Sequence, residues 1–185
     1  LISCGENENF IRYDLSERMR SFLPRQELQP FRILGSDTFN LQVFRQETGF
    51  IETTIPGGQA AVLNADRLER EFITVEQGSD IPLLRFIYEA ETFFDNQSPS
   101  LQRDSLRISV ESPQGQRTTL LRFSFTDSLR CALPTCRFAD TLLLDSVSYT
   151  NVYYNADETA GQIFINTQNG LLQYINADST VYLRN

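Results

Sequence analysis

The sequence predicts a single all-β domain, an antiparallel β-sandwich or barrel introduced by one short N-terminal helix. Three observations predict it. Apolar residues recur with period two through most of the chain, the pattern of strands that bury one face. The segments between them carry the Gly, Pro, Asn and Asp residues that reverse a chain. Only one stretch has both a helix start signal and a helix stop signal. At 185 residues the chain is long enough to hide roughly 70% of its unfolded surface in one core.

In chain order, the stretch 14–24 reads as the helix, capped by Asp14 or Ser16 and stopped before Pro24. Residues 64–71 resemble a further turn or two of helix but lead directly into Phe72-Ile73-Thr74-Val75, which is β-prone. Strands are predicted at 38–45 and 50–54. In Leu84, Phe86, Tyr88 and Ala90 one face is apolar, while Arg85, Glu89 and Glu91 alternate with it. Leu106, Ile108 and Val110 lead through Ser112-Pro113-Gln114-Gly115 into Leu121, Phe123 and Phe125, a hairpin. Further strands are predicted at 141–144, 152–154 and 180–183. A second hairpin joins 162–166 to 171–175, where Asn169-Gly170 favours a type I′ turn. The stretches 55–59 and 95–100 are loop-sized, so residues 13–185 read as one domain behind a tether at 1–12.

Composition excludes more chemistry than it suggests. All sixteen basic residues are Arg, and the chain has no Lys, no His and no Trp. That removes Ser-His-Asp and Cys-His catalysis, Schiff-base and P-loop lysines, and imidazole-ligated zinc. The net charge of −8, with no basic stretch, gives no footprint for a nucleic-acid backbone. No cofactor and no metal site are expected. Acidic pairs such as Glu69 with Glu71, or Asp140 with Asp145, are of the residue type a glycosidase uses, but nothing in their setting distinguishes them from a solvated charged face.

Cys131 and Cys136 lie five apart with Pro134 between them. Four intervening residues are too many for the usual redox dithiol, and zinc would need two further ligands. A structural disulfide is therefore predicted, worth about 2 kcal/mol by loop entropy, and suited to an oxidising compartment. The third cysteine, Cys4, follows Leu1-Ile2-Ser3 and precedes the polar run Gly5-Glu6-Asn7-Glu8-Asn9. An aliphatic residue three before the Cys and a small one just before it resemble the lipobox of bacterial lipoproteins. In that family the signal peptide is cut before the Cys and the thiol carries acyl chains. This implies a lipid anchor at Cys4, which through several chains satisfies the need for more than one hydrophobic signal.

Asn-Ala-Asp occurs at 64–66, 155–157 and 176–178. These read as Asx turns, because none places carboxylates at the alternating positions of a Ca²⁺ loop. Asp followed by Ser or Thr recurs at Ser105, Ser128, Thr141, Ser146 and Ser179. These five resemble O-glycosylation acceptors of exported Bacteroidetes proteins, and equally suit a turn entering a strand. Five tyrosines fall late, Tyr149, Tyr153, Tyr154, Tyr174 and Tyr182. On one exposed sheet face they would form a platform for a glycan or a protein; as ordinary strand residues they need no such role.

The lipobox, the phrase Phe22-Leu23-Pro24 leading to Gly35-Ser36-Asp37-Thr38-Phe39, and the tail from Val152-Tyr153-Tyr154-Asn155 to Gly161-Gln162-Ile163-Phe164 are similar to uncharacterised cell-envelope lipoproteins common in Bacteroidetes. The likeness covers the two ends better than the middle, and Leu or Tyr stands where those proteins often have Trp. It implies a lipid-anchored location at the outer membrane, on its periplasmic face or at the cell surface, and carries no activity with it. The expected function is that of a non-catalytic accessory or interaction subunit of an outer-membrane protein complex. A binding module for a small apolar ligand or a glycan is the alternative, and a carboxylate-based hydrolase a third.

Overall fold

A computed structural model describes residues 12–24, 28–34, 38–54, 65–77, 85–95, 98–112, 114–125 and 128–184. Residues 1–11, with Cys4, lie outside them, as does Leu84. The chain forms β1 (Arg12–Tyr13), α1 (Glu17–Arg20), β2 (Leu28–Ile33), β3 (Thr38–Thr54), β4 (Ala65–Gln77), β5 (Arg85–Asp95), β6 (Ser98–Glu111), β7 (Arg117–Phe125) and β8 (Leu129–Cys131). It continues with β9 (Cys136–Leu144), β10 (Val147–Asn155), a 3₁₀ turn (Glu158–Ala160), β11 (Gln162–Asn166), β12 (Gly170–Ile175) and β13 (Val181–Arg184).

Twelve of these strands make one antiparallel sheet, nearly closed into a barrel. Its spatial order is β8-β7-β6-β5-β4-β3-β2-β13-β12-β11-β10-β9, and β1 adds to β4 in parallel. Along this path strands consecutive in sequence are neighbours, with one exception: β8 and β9 stand at the two ends of the sheet. The path is joined by its first and last strands in sequence, β2 pairing with β13 through Ile33 opposite Tyr182.

That gap is bridged covalently. Cys131 ends β8, Cys136 begins β9, and the two form a disulfide with Cα atoms 6.0 Å apart. The loop between them is tied to both sides. Ala132 N–H donates to Arg122 O on β7, and Thr135 O accepts from Ala156 N–H beyond β10. The disulfide thus closes the sheet where no ladder does. Replacing both cysteines with Ser is expected to lower the free energy of unfolding by about 2 kcal/mol, read as a lower urea midpoint, and reductant should produce the same shift in the parent protein.

The helix is short but deeply inserted. Ser16 caps it, its hydroxyl accepting from Met19 N–H, so Ser16 rather than Asp14 is the N-cap. Leu15, Met19, Phe22 and Leu23 are all at most 4% exposed and belong to the main core. Phe22 packs against Phe123 (ring centroids 5.1 Å), Phe125 (6.1 Å) and Tyr153 (5.7 Å). Asp104, buried on β6, fixes the segment by accepting from Ser16 N–H (2.8 Å) and Thr92 Oγ1 (3.0 Å).

Around this plug the inward rows of the sheet supply Phe31, Leu41, Ile73, Phe86, Tyr88, Leu106, Ile108, Leu121, Ile163 and Ile165. On the outer face of β5 and β6, Ile87 and Ser109 are opposite one another and are also buried. They are flanked on that face by ion pairs of Arg85 with Glu111, and of Arg107 and Arg117 with Glu89.

Two expectations change. Residues 65–71 are strand, not helix, because pairing with β3 on one side and β5 on the other outweighs local helix preference. The separate strands expected at 38–45 and 50–54 are one strand, β3, interrupted by a bulge between Gln46 and Gly49.

Candidate functional site: the β9–β10 hairpin

The β9–β10 hairpin gathers more of the candidate residues than any other element: Cys136, Thr141, Ser146, Tyr149, Tyr153 and Tyr154. Its turn is the two-residue Asp145-Ser146, between Leu144 and its partner Val147. Both turn residues have positive φ, 44° and 67°, the mark of a type I′ turn. The type I′ turn expected at Asn169-Gly170 is not formed there. Only Gly170 has positive φ, and a three-residue loop precedes it. Ser146 holds a left-handed conformation that costs a non-glycine residue ~1 kcal/mol; Ser146→Gly is therefore expected to raise the melting temperature by a few degrees.

The hairpin does not continue flat beside its neighbour. β10 pairs with β11 only at Tyr153 and Tyr154, and Asn151 with φ 53° breaks the strand's regularity beyond them. Tyr154, Phe164, Gln173, Leu183 and Arg32 are successive cross-strand partners from β10 to β2. Phe164, Leu183 and Arg32 alternate with the core residues Ile163, Tyr182 and Phe31, so this row faces outward. Yet Phe164, Gln173 and Leu183 are buried. The hairpin tip covers them. Leu144 and Val152 form a second apolar cluster with Phe164 and Leu172, joined by Leu142, Tyr149 and Tyr154. Asp145 at the turn forms an ion pair with Arg32 on β2. Four strand spacings separate β10 from β2, about 19 Å, a distance the hairpin spans only by lying across the sheet as a strap. Asn166 Nδ2 steadies its near end by donating to Thr150 O (3.2 Å).

This geometry divides the tyrosines. Tyr174 and Tyr182 face each other on β12 and β13 inside the main core, 6.0 Å apart, with Phe86 edge-on to Tyr174 at 5.1 Å. Tyr153 packs on the main core, and Tyr149 and Tyr154 lie under the strap, with Tyr154 stacked on Phe164 at 5.4 Å. The five do not form one exposed platform. Burial, with the neighbouring Tyr182 and Asp178 adding to it, pushes the Tyr174 phenol up to about 12. A raised phenol stabilises the fold fully below the ordinary tyrosine range, and that contribution disappears as pH climbs through the folded value. Ultraviolet titration is expected to show Tyr174 ionising near pH 12, with stability falling between about pH 10 and 12.

Of the hydroxyl candidates, Ser128, Thr141, Ser146 and Ser179 are exposed. Ser105 is 6% exposed, so the folded chain cannot present it to a transferase. Asp145, paired with Arg32, has a structural partner. Two of the Asn-Ala-Asp segments are Asx turns. Asp157 accepts from Thr159 N–H and Oγ1, and Asp178 from Thr180 N–H. Those bonds hold both carboxyls below their ordinary range. In the third, Ala65 and Asp66 open β4 and Asn64 lies outside the described residues. No group of three or more metal-ligating side chains occurs among the described residues.

No family model, curated protein or solved structure matches this chain. The surface properties of the hairpin therefore carry the functional reading. Among the described residues, β9 has a strand neighbour on one side only. Along it Phe138 is 49% and Leu143 68% exposed, and Val147 beyond the turn is 50% exposed. A strand at the end of a sheet beside large exposed apolar groups makes an adhesive edge, which proteins ordinarily blunt with Pro, Lys or a covering segment. Sequence reasoning missed this edge, because no local pattern says which strand ends a sheet.

Proposed function

We propose that the protein is a non-catalytic lipoprotein of the cell envelope, anchored through acyl chains on Cys4, and that it serves an outer-membrane protein complex as an accessory, interaction subunit. The observation that carries the reading is the β9 edge, which among the described residues has no strand beyond it, with exposed Phe138 and Leu143. Apolar groups on an unfilled sheet edge suit a protein partner better than a soluble metabolite. The anchor fits the geometry. Eight residue steps separate Cys4 from Arg12, where β1 joins the sheet, a reach of at most about 29 Å. A protein held that close to a membrane meets its partners at high effective concentration.

The test uses a photo-crosslinking residue in place of Leu143, expressed in the native host, with the same replacement at Phe44, 45% exposed on β3, as control. The expected result is one discrete membrane-protein adduct from position 143 and none from position 44. Identical adducts from both positions, or none from either, would sink the interaction role. Intact-mass analysis of the same material decides the anchor separately, since an unacylated Cys4 would remove it.

A further inference from the structure

Arg20 donates to Leu15 O, Arg137 to Pro134 O, and Arg32, Arg85, Arg107 and Arg117 to carboxylates, bonds that explain the place of each. Arg184 differs. Its Nη1 is fully buried and has no hydrogen-bond partner. The residue stands opposite Phe31, a core residue, so its side chain starts on the inward row of β13 near the end of the barrel. The phenols of Tyr149, under the strap, and Tyr88, in the core, are near enough to act on it electrostatically. Gly170, at the start of β12, lies alongside with φ 71°, and a carbon built on it would meet only Arg184 Nη1, at 3.9 Å. So there is room beside the nitrogen that lacks an acceptor.

A buried guanidinium N–H without an acceptor is costly, and native structures usually meet it with a water or an ion. The fork of an arginine matches the paired oxygens of a carboxylate or phosphate group. We propose that Arg184 is the anchor of an oxyanion-binding site at the end of the barrel, between the β11–β12 loop and the strap. The ligand offers a carboxylate or phosphate group to Nη1, in the electrostatic neighbourhood of Tyr149 and Tyr88. This inference is independent of the lipid anchor and of the β9 edge.

The test is thermal unfolding of the whole chain followed by near-ultraviolet circular dichroism, which reports tyrosines alone among the strong absorbers in a protein without Trp. Sodium acetate, sodium phosphate and sodium chloride are compared at equal ionic strength, for the parent and Arg184→Gln. The expected result is a rise in the parent's midpoint with acetate or phosphate over chloride, corresponding to a ~100-fold shift in the folding equilibrium at a hundred times the dissociation constant. Arg184→Gln should respond equally to all three salts. A response to acetate alone assigns a carboxylate ligand, and one to phosphate alone a phosphate ligand. If Arg184→Gln fails to fold, the Arg184 side-chain N–H signal of the parent is followed by NMR in the same salts. An immobile signal, or equal stabilisation of parent and variant, overturns the site.

Discussion

Phe22→Ala is expected to cost about 3–5 kcal/mol of folding free energy, the range for removing a large aromatic side chain from a packed core. That is a large part of the ~5–15 kcal/mol by which a domain of this size is stable. Phe22 is 1% exposed and touches rings from both ends of the sheet, Phe123 and Phe125 of β7 and Tyr153 of β10. The sheet is not closed there by a hydrogen-bonded ladder, so the plug's aromatic contacts help hold its ends together. Urea unfolding should show a fall in midpoint with an unchanged slope. Phe44→Ala, at a residue 45% exposed, should shift the midpoint by less than ~0.5 kcal/mol. Equal losses from the two would refute the plug's role.

Asn155→Ala is the second large effect, expected at about 3 kcal/mol. The Asn155 side chain is 2% exposed and makes three bonds: Nδ2 donates to Asp157 O (3.0 Å) and Gly161 O (2.8 Å), and Oδ1 accepts from Ile163 N–H (2.7 Å). Truncation leaves two carbonyls and an amide short of partners, and each such buried group costs ~1–3 kcal/mol. Asn155→Asp keeps the shape but aims a carboxylate at two carbonyl oxygens, so it should be poorly tolerated at neutral pH and improve in acid. The same turn demands Gly161. With φ 87°, a Cβ there would lie 2.8 Å from both Ile175 O and Tyr174 Oη, a close approach only glycine allows.

Much of this architecture is legible in the chain wherever the cause is local. The β6–β7 hairpin shows alternation on both strands and closes through Ser112 and Gly115, with Gly115 N–H donating to Ser112 O. The helix start at Ser16, the Cys131–Cys136 bridge and the Asx turns at Asp157 and Asp178 depend on residues within a few positions of one another. The strap does not. Period two separates Tyr153 from Tyr154 correctly, one to each face of β10, but implies that one face meets water. Here the hairpin doubles back, so both are covered. The orphan nitrogen of Arg184 is equally invisible in sequence, since it follows from what the turn at Gly170 and the strap leave around it.

The pairing of β2 with β13 has a consequence during folding. The chain can zip β2 through β8 in order, since each strand lies beside the one before it. But the other flank of β2 waits for β13, and contacts this remote along the chain are slow to form. Until then the folding protein carries a raw strand border, the kind of transient exposure that invites aggregation and chaperone capture. Truncation just short of Val181 would make that vulnerable interval permanent.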